Sequence, residues 1–138
     1  MLGVILWEPM DDFDLWNILK KKINARKTAS GLYANNGDVW IASLGKNIGF
    51  EQNGKGVNFS RPVLIISKFN SQMVWVVPLS TKQKKVDFYF NFTDPYKQPN
   101  SLILAQLRLI STKRLKRKIY KLPKNQLDDI RNRLKSYL

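Results

Sequence analysis

The sequence predicts a mainly β, α+β domain: a small, mostly antiparallel, twisted sheet closed by a helix at each end of the chain. Three observations carry this expectation. Five strand-like runs follow one another between residues 38 and 107, with turn residues between them. Apolar residues recur at helical spacing before residue 27 and again after Pro123. The 138 residues, 43% of them hydrophobic, suit one domain with a proper core.

Met1 to Trp7 is apolar but has no basic leader and runs into Glu8-Pro9, so it reads as a short strand or tail and not as a signal peptide. Asp11 to Arg26 is predicted helical, with Phe13, Trp16, Leu19 and Ile23 repeating and Leu15 and Ile18 alongside. Asp11 or Asp12 suits its N-cap and Lys20 to Lys22 its C-terminal end. The Asp11, Asp12, Asp14 trio therefore reads as capping and not as a metal site. Lys27 to Gly37 is polar and ends in the turn Asn35-Asn36-Gly37-Asp38.

Strands are expected at Asp38–Leu44, Pro62–Lys68, Met73–Leu79, Val86–Phe92 and Leu102–Leu107. Within the fourth, Val86, Phe88, Phe90 and Phe92 alternate with polar neighbours and Tyr89, the period of a half-buried strand. Phe69 to Gln72 is a hairpin connection, and Asp94 to Asn100 a second loop. The basic segment Arg114 to Leu122 is a last strand or irregular. Pro123 opens a terminal helix with Leu127, Ile130, Leu134 and Leu138 on one face. Trp40 and Trp75 are expected in the core, and Trp16 packed against the sheet. No run approaches the ~20 apolar residues that span a bilayer, so neither a membrane partner nor a location other than the cytoplasm is expected.

The most informative segment is Gly45 to Ser60, closed by Arg61-Pro62. A connection this long inside a small domain is usually functional or disordered, and chemistry is commonly placed on loops held by a rigid sheet. Glu51 is its one carboxylate and Arg61 its closing guanidinium. Net charge is +14, from 24 Lys+Arg against 10 Asp+Glu, and residues 105–138 hold eleven of the basic residues. Such a field concentrates nucleic acid or an acidic protein at the surface. The chain has no Cys and no His. Disulfides, Cys/His zinc sites, the Ser-His-Asp triad and histidine acid–base pairs are thereby excluded.

Four blocks occur in order: GDVWIASLG (37–45), GFEQNGKG with RPVLII (49–66), VVPLST (76–81) and LILAQLRLIS (102–111). Together they resemble the MazF/PemK family of toxin endoribonucleases. The resemblance implies an SH3-like antiparallel barrel over 37–138, with 1–36 as an extension carrying the first helix. It implies a homodimer that cuts single-stranded RNA without metal or cofactor, and a cognate acidic antitoxin that blocks the RNA groove. In the mechanism implied, the ribose 2′-OH attacks the adjacent phosphate, leaving a 2′,3′-cyclic phosphate and a 5′-OH. A non-catalytic toxin of the gyrase-poisoning kind, or a basic nucleic-acid-binding module, is the alternative on the same barrel.

The catalytic positions carried over are Arg61, Glu51 and Ser80, where the family usually has Thr; Thr81 is the alternative hydroxyl. Arg61 has a planar fork suited to phosphate but is a poor proton carrier. Glu51 is either a base or an orienter of Arg61. RNA contacts are expected from Gln52, Lys55, Phe59, Thr81, Lys82, Lys84, Gln106 and Arg108, with Phe50 and Phe59 as stacking platforms. The run Lys113 to Lys118 tracks an RNA backbone, docks an antitoxin, or solvates a sheet edge. The loop between Gln52 and Arg61 is several residues longer than in the shorter family members.

Overall fold

The computed structural model describes residues 9–27 and 30–138; the apolar Met1 to Trp7 segment lies outside them. Helix α1, Asp12–Asn24, opens on a capping box in which Asp11 accepts from the Asp14 amide at 2.9 Å and Asp14 from the Asp11 amide at 3.4 Å. The expected trio of aspartates is thus two caps, with Asp12 set 3.8 Å from Lys46. α1 buries Trp16 and Ile23 but leaves Phe13, Leu15 and Ile18 exposed. A one-turn helix α2, Ser30–Tyr33, interrupts the polar segment that followed.

Seven strands come next: β1 Asp38–Ser43, β2 Ser60–Lys68, β3 Met73–Ser80, β4 Tyr89–Thr93, β5 Pro99–Ile103, β6 Arg108–Ser111 and β7 Leu115–Lys121. All named pairings are antiparallel, in the order β4-β5-β3-β2-β1-β7, with β6 also on β3. Helix α3, Lys124–Lys135, ends the fold and buries Leu127, Ile130 and Leu134. Leu138 falls beyond α3 and is exposed, so it does not join their face as expected.

β1, β2 and β3 from Val76 onward are buried largely on both faces. Val39, Leu64, Ile66, Val77 and Leu79 pack beneath α3, while Trp40, Ala42, Val63, Ile65, Val74 and Val76 form the barrel-like interior. This two-sided burial is why these strands read as continuous apolar runs.

The expected strand 102–107 is split. β5 ends at Ile103, a 3-10 turn spans Leu104–Gln106, and β6 begins at Arg108. The turn carries the chain from one end of β3, where Leu79 faces Leu102, to the other, where Val76 faces Arg108. The same turn shortens the strand expected at Val86–Phe92. Tyr89 pairs with Ile103, the last residue of β5; beyond it the Phe88 carbonyl takes a single bond from the Leu104 amide at 2.7 Å and the Val86 carbonyl closes a turn with the Tyr89 amide at 3.1 Å, so the ladder goes no further. Both stay exposed, and only Phe92 of that alternation is buried. The loop after β4 is also shorter, because Pro99 and Asn100 already belong to β5. Trp40 is in the core, but Trp75 is 42% exposed and rests edge-on against Phe69, contrary to expectation. Among the described residues no helix is long and apolar enough to cross a membrane.

Candidate active site

Antiparallel register brings the two central side chains together. Val63 of β2 faces Pro78 of β3, and two further residues in each direction set Arg61 beside Ser80. Side chains alternate with a period of two, so Arg61 and Ser80 share one face, at the open end of the layer holding Val63, Ile65, Val74 and Val76. Both line a cleft of about 120 Å³ with Lys55, Ser60, Thr81 and Asn100. That is well below the about 300–1,000 Å³ of drug-sized ligand pockets, and on the scale of a phosphate group.

Arg61 is 8% exposed. Its Nε donates to the Asn53 carbonyl at 2.8 Å and its Nη1 to the Leu79 carbonyl at 2.9 Å. Of five guanidinium N–H donors, these bonds use two, leaving three unspent among the described residues. Burial lowers the Arg61 pKa from its ordinary range, partly offset by the Tyr89 phenol. Ser80 Oγ accepts from the Lys82 amide at 3.2 Å, and the hydroxyl of Ser101 ties the Lys82 carbonyl at 2.6 Å. The turn leaving β3 is therefore fixed. Thr81, Lys82 and Lys84 are exposed along it, with Lys84 Nζ 5.5 Å from the Tyr89 ring.

Glu51 is not part of this cleft. Its carboxylate accepts from the Ile48 amide at 3.3 Å and forms no ion pair with Arg61. It lines a neighbouring pocket of about 230 Å³ with Gln52, Pro78, Gln106 and Arg108. The expectation that Glu51 orients Arg61 is thus replaced: the Asn53 and Leu79 carbonyls do so. Burial lowers the Arg108 pKa, and Glu51 opposes that shift.

Gln106 acts on the loop itself. Its Nε2 donates to the Phe50 carbonyl at 2.8 Å and its Oε1 accepts from the Gln52 amide at 3.3 Å. Besides lining the pocket beside Glu51, Gln106 staples the loop to the 3-10 turn. Asn47 stitches the inside, its Nδ2 donating to the Gln52 carbonyl at 2.8 Å. Phe59 is corrected as well: it is 7% exposed and packs on Trp16 with ring centroids 5.7 Å apart, so it offers no stacking face. Phe50 is fully exposed and keeps that role open. Lys55 is exposed and borders the Arg61 cleft.

The Lys113 to Lys118 run is largely committed to the fold. Lys113 Nζ donates to the Asn24 carbonyl at 2.9 Å, Arg114 Nη1 to the Ser43 carbonyl at 3.1 Å, and Lys118 pairs with the sealed Asp38 at 3.2 Å. β7 stands at one end of the strand order. Nothing in the sequence points to Asn53, which acts through its backbone. Asn100 was read only as loop, yet it lines the cleft because β5 pairs with β3.

The sequence model of a family described as PemK-like, MazF-like toxin of type II toxin–antitoxin system matches residues 35–138. Solved structures share the fold. MazF of Deinococcus radiodurans is 17% identical, with a TM-score of 0.62 over 75% of this chain and 94% of its own. Mycobacterium tuberculosis toxin MazF-mt6 is 19% identical, with a TM-score of 0.55 over 72% and 93%. An endoribonuclease from Mycobacterial species, solved in complex with its cognate antitoxin, is 14% identical, with a TM-score of 0.58 over 75% and 92%. No curated protein sequence matches the chain.

Proposed function

Because this chain belongs to the PemK-like, MazF-like toxin family of type II toxin–antitoxin systems, we propose that it is an endoribonuclease cutting single-stranded RNA without metal and so arresting translation and growth. The observation that carries this is the shared cleft of Arg61 and Ser80, with three guanidinium donors unspent beside a fixed hydroxyl.

Cleavage by the ribose 2′-OH requires loss of its proton, stabilisation of the charge gathering on phosphorus-bound oxygens, and protonation of the departing 5′-oxygen. Arg61 serves the second need, its remaining donors meeting two phosphate oxygens from a site with little water to compete. Ser80 donates a further hydrogen bond to one of the two nonbridging oxygens. Among the described residues no carboxylate lines the cleft, and water carries the protons in this reading. Glu51 aligns Arg108 in the adjoining pocket on a flanking phosphate. Lys55, Thr81, Lys82 and Lys84 carry the strand past the cleft by contacts to its backbone. Products are a 2′,3′-cyclic phosphate and a 5′-OH.

A homodimer and an acidic antitoxin belong to the same reading. The net charge of +14 suits an acidic inhibitor that displaces RNA, and residues 37–138 form the toxin domain proper. The test is incubation of the pure protein with total RNA in EDTA, followed by mapping of the cut ends. Discrete cuts with cyclic-phosphate ends, slowed by about 10²–10³-fold in Arg61→Ala, are expected. Intact RNA overturns the assignment, and cutting at the wild-type rate by Arg61→Ala removes Arg61 from the mechanism.

A further inference from the structure

Helix α1 lies outside the matched region 35–138, yet it carries the side chain that plugs the neck of the loop beside Arg61. Trp16 occupies the space where residue 45 would have a side chain: a Cβ on Gly45 would lie 2.2 Å from Trp16 Cε2. The indole also meets the Phe59 ring, and the Arg114 guanidinium covers it at 5.6 Å. Trp16, Ile23 and Phe59 form a cluster separate from the two sheet cores.

Backbone contacts run from that cluster to the guanidinium. Phe59 sits at φ +48, a conformation an L side chain rarely adopts. In that pose its carbonyl accepts from the Leu44 amide at 2.9 Å and the Gly45 amide at 3.2 Å. The Gly54 amide donates to the Gly45 carbonyl at 2.8 Å, and a Cβ on Gly54 would strike the Phe59 carbonyl. Asn53, next in the chain, presents the carbonyl that takes Arg61 Nε.

We propose that Trp16 is a positioning residue for Arg61: by holding Gly45 and Phe59 together it keeps the loop neck closed, and the closed neck presents the Asn53 carbonyl that fixes the guanidinium. The catalytic consequence rests on the role proposed for Arg61 above; the structural link does not. The loop is thus braced by a helix that precedes the region matched to the family.

The experiment compares the wild-type chain of 138 residues with Trp16→Ala, Trp16→Leu and Trp16→Phe by amide hydrogen exchange, the Arg61 Nε–H resonance and single-turnover cleavage. In Trp16→Ala, exchange at Leu44, Gly45 and Gly54 is expected to rise about tenfold or more, with Val39 and Leu64 unchanged. The Nε–H signal is expected to broaden or vanish. The cleavage rate is expected to fall by up to about 100-fold, with KM changing far less. Trp16→Phe is expected to restore most of each. Unchanged neck amides and Nε–H signal in Trp16→Ala overturn the proposal. So does loss of protection throughout both sheet cores in Trp16→Ala and in the milder Trp16→Leu, which makes Trp16 general support. If the wild type cuts no RNA, the nuclease assignment fails by itself, and exchange and the Nε–H signal still decide whether Trp16 holds the neck.

Discussion

Asp38 and Arg61 are both charged, both almost sealed from water and both within blocks of the family pattern, yet their surroundings assign them opposite tasks. Asp38 is fully buried and held from inside the fold. Its Oδ2 accepts from the Asn35 amide at 2.9 Å and Trp40 Nε1 at 3.3 Å, and its Oδ1, which accepts no hydrogen bond, is balanced by the Lys118 ammonium at 3.2 Å. Sealed from solvent, that carboxylate opens on no cleft. Arg61 spends two donors on carbonyls and turns the others to a cleft. Burial of a charge thus says little about function until it is known what its remaining atoms face. A group enclosed by the fold holds the fold, and one whose spare donors open on a cleft is available for chemistry.

Substitutions separate the two. Arg61→Ala is expected to lower the cleavage rate by about 10²–10³-fold, the scale of losing one preorganised donor to a developing oxyanion. Arg61→Lys keeps the charge but loses the fork and is expected to recover only a small part, read from single-turnover rates. Asp38→Ala is expected to cost about 1–3 kcal/mol of stability, because it leaves the buried Trp40 indole N–H and the part-buried Asn35 amide without their acceptor. Denaturant melts measure this, and the fraction still folded should cut RNA at the wild-type rate. A loss of rate in folded Asp38→Ala would erase the contrast.

Smaller effects sharpen it. Ser80→Ala is expected to slow cleavage by about 10–100-fold with Ser80→Thr restoring it, since one hydrogen bond to a charged oxygen contributes about 1.5–3 kcal/mol. Glu51→Gln is expected to change kcat by no more than about threefold while raising KM, the pattern of an interaction made equally with bound substrate and transition state. A large fall in kcat would return Glu51 to proton transfer.

What could be read from the sequence follows from where each residue's environment is decided. β1, β2 and β3 lie close to their expected bounds, because burial on both faces writes itself into unbroken runs of Val, Ile and Leu. The ends of α1 and α3 were legible from Asp11 and Pro123. Val86–Phe92 misled, because a strand needs a partner and β5 turns away at Leu104. Arg61 and Ser80 were found through their motif blocks, and their nearness follows from the β2–β3 register. The burial of Phe59 and the loop bonds of Gln106 are illegible for a common reason: each is claimed by an element distant in sequence, Phe59 by α1 and Gln106 by the loop, and no local pattern records such a claim.

The strand order also bears on how the chain is assembled. β2 and β3 are joined by the short connection Phe69 to Gln72, whereas β1 pairs on its other side with β7, so that Asp38 meets Lys121. Local hairpins close sooner than pairings between distant segments. Arg61 and Ser80 are therefore expected to come together while the last third of the polypeptide is still being synthesised, and the seam between β1 and β7 to zip last. Folding kinetics would register this as mutations at Val63 and Val77 slowing folding, while mutation at Leu115 mainly speeds unfolding.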